Sequence, residues 1–294
     1  MIENAAEAAR AEHLALSAAF RTRCRELGLA PNPRLFWYHT IDLGDGLITP
    51  GSFDYRAVLA EFSFPPSMTG MTALDVGSAT GFFAFEFERR GAATTSIEIP
   101  SLADWDRFPG ESPAGIIEKI RARLPYHSVL PQAEIAETFR AMSVDDLYTI
   151  LLDGPFKFCC AAIGSTVNRV YSTIYDLEKT LGRERFYDWV MLGDILLHTI
   201  NPLEALASAA KRCAGTLVIA DDIVGADDDP PAMLYIAGPV QNSDAAEWWR
   251  PNVAWYRQAL ARLGFRGVKT VSALDGRVRP GGERFRKLIL HAIR

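Results

Sequence analysis

The spacing of apolar and polar residues changes period several times along this chain. Residues 3–29 place Ala, Leu, Glu and Arg at helical intervals and stop at Gly28, which predicts one or two amphipathic helices. Residues 37–51 instead alternate apolar and polar side chains around Gly44-Asp45-Gly46, the pattern of a short hairpin. From Thr72 the rhythm becomes strand, helix, strand. Residues 73–76 form an apolar strand, 81–90 a helix stopped by Gly91, and 94–99 a second strand closed by Pro100.

Residues 101–154 interrupt that rhythm with four prolines and two helical patterns, near 113–123 and 132–140. The stretch is too long for an ordinary connection and is read as a helical insertion that closes as a lid. Alternation resumes with a helix at 155–163, strands at 167–171 and 189–192, a helix at 202–213 and a strand at 216–220. A last helix over 251–263 ends at Gly264, and strands at 268–273 and 287–293 pair as an antiparallel hairpin. The predicted architecture is an α/β, doubly wound sheet with an antiparallel last strand. Residues 1–50 form a helical cap and hairpin, and 51–294 the main domain.

Composition narrows the function classes. With 294 residues, 49% of them hydrophobic, the chain can bury a full α/β core and still carry a cap. A net charge of −5 argues against a partner held through many phosphates, because such binding needs Lys/Arg surfaces. Arg21, Arg23 and Arg25 form only a short basic cluster on a helix beside Glu26. The four cysteines, Cys24, Cys159, Cys160 and Cys213, lack the spacing of a zinc or redox site, so reduced thiols and a cytoplasmic location are expected. Neither a leader pattern nor a membrane-spanning apolar run is present, and a homo-oligomer is compatible with everything above. Asp221, Asp222 and Asp227 to Asp229 read as a solvated acidic loop, and no metal site is expected.

The chemistry concentrates at LDVGSATG, residues 74–81. A strand, a Gly-rich turn and a helix start let the backbone approach a nucleotide-like ligand closely. Glu98, in SIEIP, follows at the spacing that brings a carboxylate to ribose hydroxyls, against the alternative of a surface glutamate.

LDVGSATG followed by SIEIP resembles motifs I and II of class I S-adenosylmethionine (SAM)-dependent methyltransferases. The likeness continues through FYDWVMLGDILLH, TLVIADDI and the last strand pair. Within that family it is nearest to a branch with YHTIDL…TPG ahead of motif I and paired tryptophans, here Trp248-Trp249. It is distantly similar to tRNA uridine carboxymethyltransferases, which use carboxy-SAM. The chain departs from the pattern at Ala79, where the turn usually has glycine.

The resemblance implies a Rossmann-like sheet, S-adenosyl-L-methionine as cofactor and a set of residue roles. Asp75, Gly77, Ser78 and Gly81 would surround the methionine part, Glu98 would take the ribose, and Gly193 would also bind the cofactor at the strand end that faces the transferring methyl. Asp104 and Trp105 would border the adenosine, or Trp105 would pack beneath the lid. Tyr175 and Asp176 would face the adenine, with helix capping the alternative for Asp176. Arg56 would grip a carboxylate at the cofactor tail, or pair with Asp54 or Glu61. Asp194 and His198 would orient the acceptor as catalytic residues. Trp37, Tyr38, His39, Tyr175, Asp194, His198, Trp248 and Trp249 would form the acceptor site. His39 and His198 could equally be structural, and Trp255 is expected in the core.

The expected function is in-line methyl transfer to a small metabolite, with S-methylation of an amino acid or thioether such as methionine as its finest form. O- or N-methylation of a small molecule, (carboxy)methyl transfer to tRNA, and a SAM-binding module without catalysis remain alternatives.

Overall fold

The structure is a computed structural model describing residues 2–127, 139–225, 229–237 and 247–294. Strands β1 (Thr72–Val76), β2 (Ala93–Glu98), β3 (Asn168–Tyr171), β4 (Tyr187–Gly193), β5 (Cys213–Asp221), β8 (Gly267–Arg277) and β9 (Arg284–Ile293) form one sheet. Their order is β3-β2-β1-β4-β5-β9-β8, parallel from β3 to β5 and antiparallel at β5–β9 and β9–β8. This is the doubly wound sheet with an antiparallel last strand that the alternation predicted. A two-stranded ribbon, β6 (Met233–Tyr235) with β7 (Trp249–Pro251), was not foreseen, since three-residue strands leave no period to read.

Alternate residues of each central strand feed opposite cores. Ala73, Met191, Val218 and Ile289 pack on one face, while Leu74, Val190, Leu217 and Leu290 pack on the other. Strands covered on both faces therefore read as continuous apolar runs. Helices α2 (Phe82–Arg89) and α5 (Gly154–Ile163) cover the first face; α6 (Leu177–Leu181), α7 (Pro202–Lys211) and α8 (Val253–Arg262) cover the second. Helix α2 is apolar nearly all round, with Phe82, Phe83, Phe85 and Phe87 buried, because it lies between the sheet and the N-terminal segment.

That segment begins with a single helix, α1 (Ile2–Glu26). The hairpin expected over 37–51 forms as a tight turn with one antiparallel bridge, Asp42 to Ile48, and no extended ladder. Thr40, Thr49 and Gly51 spend their hydrogen bonds inside this loop instead. Arg279, 4% exposed, fastens it down by donating to Thr40 Oγ1 at 2.6 Å and to the Gly51 carbonyl at 3.1 Å, and it pairs with Glu12 of α1.

Between β2 and β3 the insertion contributes α3 (Pro113–His127) and α4 (Val144–Tyr148), which runs through a π-helical turn (Thr149–Asp153) into α5. The helix expected over 132–140 falls mostly outside the described residues, as do Asp227 and Asp228 of the acidic loop. The last helix starts at Val253, two residues later than expected, because Asn252 caps it by accepting the Trp255 N–H at 2.9 Å. Among the described residues no helix is long and apolar enough to cross a membrane, and all four cysteines are free thiols.

Candidate functional site

Strand β1 ends in a turn with three residues at positive φ: Gly77 at 70°, Ala79 at 47° and Gly81 at 94°. A Cβ on Gly77 would sit 2.6 Å from the Ile195 side chain, so glycine lets the turn approach the segment after β4. A Cβ on Gly81 would sit 2.6 Å from the Phe85 ring and 2.7 Å from Phe156. Ala79 holds a conformation that disfavours any side chain, and its backbone is pinned from both sides. Its N–H donates to Glu98 Oε2 at 2.8 Å, and its carbonyl accepts from Arg169 at 3.0 Å.

Glu98 also accepts the Ile99 N–H at 3.0 Å, so one buried carboxylate ties the end of β2 to the β1 turn. Burial pushes its carboxyl above the usual range, opposed by Arg169 at 3.8 Å. Asp75, 2% exposed, accepts the Ala84 N–H of α2 at 3.0 Å. Burial lifts that carboxyl to about 7 despite the hydrogen bond.

A cavity of about 620 Å³ opens above this turn. Its floor is the β1 turn with the ends of β2 and β4, and one wall is Asp104 to Asp106 and Ser172 to Tyr175. The insertion supplies Ile116, Lys119, Ile120, Leu151 and Leu152, and the N-terminal segment supplies Tyr38, His39, Phe53 and Tyr55. The volume suits an organic ligand of moderate size.

Most of the predicted residues meet here. Asp75, Gly77, Ser78, Glu98, Asp104, Trp105, Tyr175 and Gly193 line one half; Tyr38, His39, Asp194 and His198 line the rest. Trp105 meets His198 edge to face at 6.2 Å. Tyr175 donates to Asp106, which also accepts the Ile200 N–H at 2.8 Å, so the ring is held in place by its hydroxyl. His39 stands 3.2 Å from Thr80 Oγ1 through Nδ1 and packs against Tyr38 and Phe82. Burial, with help from Lys287, lowers its imidazole to about 3, so it is a neutral group at ordinary pH.

Other predicted residues lie away from the cavity. Arg56 grips Asp54 through two nitrogens at 2.9 and 2.8 Å, the pairing that its neighbour in sequence makes easy. Asp176 is exposed and accepts from Thr173 Oγ1 at 2.8 Å. Gly81 serves the packing of α2. Trp37 is buried against Phe20 and Phe158. Trp248 is buried beside Phe108, and Trp249 donates to the Ile200 carbonyl at 3.1 Å and packs on Tyr235. Trp255 packs with the second core, as its helical position foretold. Indole side chains here close interfaces between elements, which their amphipathic shape suits as well as ligand binding.

Two groups escaped the sequence reading. Arg169 of β3 lies buried over the Phe156 ring at 4.1 Å and braces the turn at Ser78 and Ala79. Lys287 of β9, with a side chain 7% exposed, reaches the cavity and pairs with Asp194. Its positive charge rests 5.1 Å from the Phe285 ring and 5.8 Å from Phe53. Asp194 itself has a φ of 50°, and its Oδ1 is buried without a hydrogen-bond partner. Both features are local costs that the surrounding structure has to hold in place. The only sequence sign of Lys287 is one charge at the start of an apolar strand.

No family model matches the sequence, and no curated protein matches it. Solved structures do align with the fold. The N-terminal domain of EvdMO1, in the presence of SAH and D-fucose, is 14% identical over 92% of this chain and 94% of its own, with a TM-score of 0.48. Magnesium protoporphyrin IX methyltransferase from Synechocystis PCC 6803, with bound SAM, is 13% identical over 81% of this chain and 76% of its own, at 0.41. The 1,6-didemethyltoxoflavin-N1-methyltransferase of Burkholderia thailandensis, with 1,6-didemethyltoxoflavin and S-adenosylhomocysteine bound, is 14% identical over 77% and 72%, at 0.40. Likeness at this level assigns no residue a role.

Proposed function

We propose that the chain is a SAM-dependent methyltransferase acting on a small metabolite. The observation that carries this reading is Glu98, a buried carboxylate at the end of β2 on the wall of the cavity above the Gly77 turn. The cavity opens at the carboxyl ends of β1 and β4, where the sheet order reverses and ligands of doubly wound folds sit. The glycine cradle, the strand-end carboxylate and the flanking Trp105 and Tyr175 fit a nucleoside bearing a charged thioether tail.

When bound, SAM would supply an electrophilic methyl group on a sulfonium. The chain's own residues do the rest. Backbone at Gly77 to Ala79 would follow the tail, Glu98 would accept the ribose hydroxyls, and Asp104, Trp105 and Tyr175 would border the base. Tyr38, His39 and Asp194 face the remaining volume and would orient the acceptor, with the insertion excluding water. Alignment and desolvation together account for many kcal/mol of barrier in such displacements.

S-methylation of a thioether such as methionine draws on the apolar wall of Phe53, Tyr55 and Phe83 and needs no base. Transfer of a carboxymethyl group requires a cation for the donor carboxylate; Arg56, expected at the cofactor tail, is engaged by Asp54 and lies outside the cavity. Incubation with labelled SAM and a panel of thioethers, amines, phenols and tRNA separates these acceptors. Cofactor binding with no labelled product from any pool supports the non-catalytic module instead.

Calorimetry tests the cofactor assignment directly. Because Glu98 also holds two backbone N–H groups, Glu98→Gln is the appropriate variant, keeping one acceptor oxygen. It should weaken SAM binding by about 10- to 100-fold, the worth of hydrogen bonds to a charged group. Unchanged affinity would remove Glu98 from the ribose, and no SAM binding by the unaltered chain would end the proposal.

A further inference from the structure

The cavity's polar pair is more selective than its walls. Asp194, just past the end of β4, and Lys287 of β9 reach it from neighbouring segments and bind each other through Asp194 Oδ2. Asp194 keeps a second oxygen with no partner, and rotation about its soft χ2 exchanges the two. Lys287 carries three N–H donors, one of which goes to Asp194. Beside the pair stand the stacked rings of Phe53 and Tyr55, 6.2 Å apart and 24° from parallel.

Resting on the methyltransferase reading, we infer that this pair selects a hydroxyl acceptor on a flat apolar body, a phenol or enol, and makes the reaction an O-methylation in which Lys287 takes part. A hydroxyl donates to the carboxylate and accepts from the ammonium at once. A thioether can do neither well and would lie against an ion pair with nothing to offer it. An ammonium meets Lys287 as a like charge, and a lone carboxylate meets Asp194 in the same way.

The step balances with the sulfonium as methyl donor. The hydroxyl oxygen forms the new O–C bond, its proton passes to the Asp194 carboxylate, and the electron pair of the broken C–S bond remains on sulfur. A hydroxyl and a sulfonium become a methyl ether, a thioether and one proton. Lys287 holds the oxygen while its negative charge develops, a role worth most in a desolvated site.

Calorimetry on the full chain saturated with S-adenosylhomocysteine tests this with para-cresol and its methyl ether, two probes that share the ring and differ where a methyl replaces the hydroxyl hydrogen. Cresol should bind at least about tenfold more tightly, because the ether offers no proton to the carboxylate oxygen that Lys287 leaves unpaired. Replacing both charges together, Asp194→Leu with Lys287→Met, avoids stranding one of them and should bring the ratio to about one without altering S-adenosylhomocysteine affinity. Equal binding of cresol and ether by the unaltered chain overturns the inference, as does a ratio that survives the double substitution, or methionine binding where cresol does not. Should the double variant fail to fold, the ratio in the unaltered chain decides alone. If S-adenosylhomocysteine itself does not bind, the methyltransferase reading fails separately, and the two probes still read the pair on the free chain.

Discussion

At the scale of single residues the cavity is a set of groups held in unusual ionisation states by burial. His39 is the one with a clear consequence for stability. Its imidazole titrates at about 3 in the folded chain against an ordinary 6.5, first through burial and then through the Lys287 charge. Between those values the unfolded chain binds the extra proton, so stability falls as pH drops from about 6.5 toward about 3. Asp75 and Asp221 act in the opposite sense. Burial raises each to about 7, so what they contribute is full below the usual carboxylate value of 3.8 and lost as pH rises through about 7. Urea unfolding across this range should show a flatter acid limb for His39→Gln than for the unaltered chain; parallel curves would mean that His39 is not buried neutral. The residues legible in the sequence were those whose partners are close in the chain, such as the Asp75 to Gly81 turn. Glu98 was legible from its spacing to that turn. Lys287 was not, because its partner lies 93 residues away and a lone strand lysine looks like a solvated edge. Arg56 was misleading for the converse reason, since Asp54 two residues earlier offers the nearer carboxylate.

At the scale of elements, α2 links the core to the site. It begins at the Gly81 end of the turn, its Ala84 N–H is held by Asp75, and its phenylalanines fill the space under the N-terminal segment. Phe85 is fully buried and stacks on Phe156 of α5 at 5.2 Å. Phe85→Ala should cost about 3–5 kcal/mol of stability, measured as a shift in the urea midpoint at constant slope. A cost below about 1 kcal/mol would mean that α2 does not pack as described. Element identity followed from periodicity for every strand of the main sheet. The ribbon of β6 and β7 and the reduced 37–51 hairpin did not, since hydrogen bonds to side chains and to distant backbone decide them.

At the scale of the molecule, a ligand that binds only the folded chain must stabilise it. With SAM at a hundredfold excess over its dissociation constant, mass action adds about 2.7 kcal/mol, a rise in melting temperature of about 4–8 °C for a chain of this size. The absence of any rise at saturating SAM would contradict the cofactor assignment. The sheet's layout was readable as a whole because each strand and helix alternates in order, while the cavity's other half was readable only in part: Tyr38, His39, Asp194 and His198 line it, Trp37, Trp248 and Trp249 do not, and Lys287 arrives from a strand far along the chain.

The placement of β9 between β5 and β8 bears on how the protein is made. During synthesis the first five strands of the sheet, β1 to β5, can assemble as they emerge, complete with the Gly77 turn and Glu98, but β5 remains an open edge until residues 284–293 leave the ribosome. A nascent chain halted short of Lys287 would own a cavity floor with Asp194 unpaired above it. Strand β9 thus both seals the β5 edge and delivers the ammonium, so closure of the sheet and completion of the site are a single event in the life of the chain.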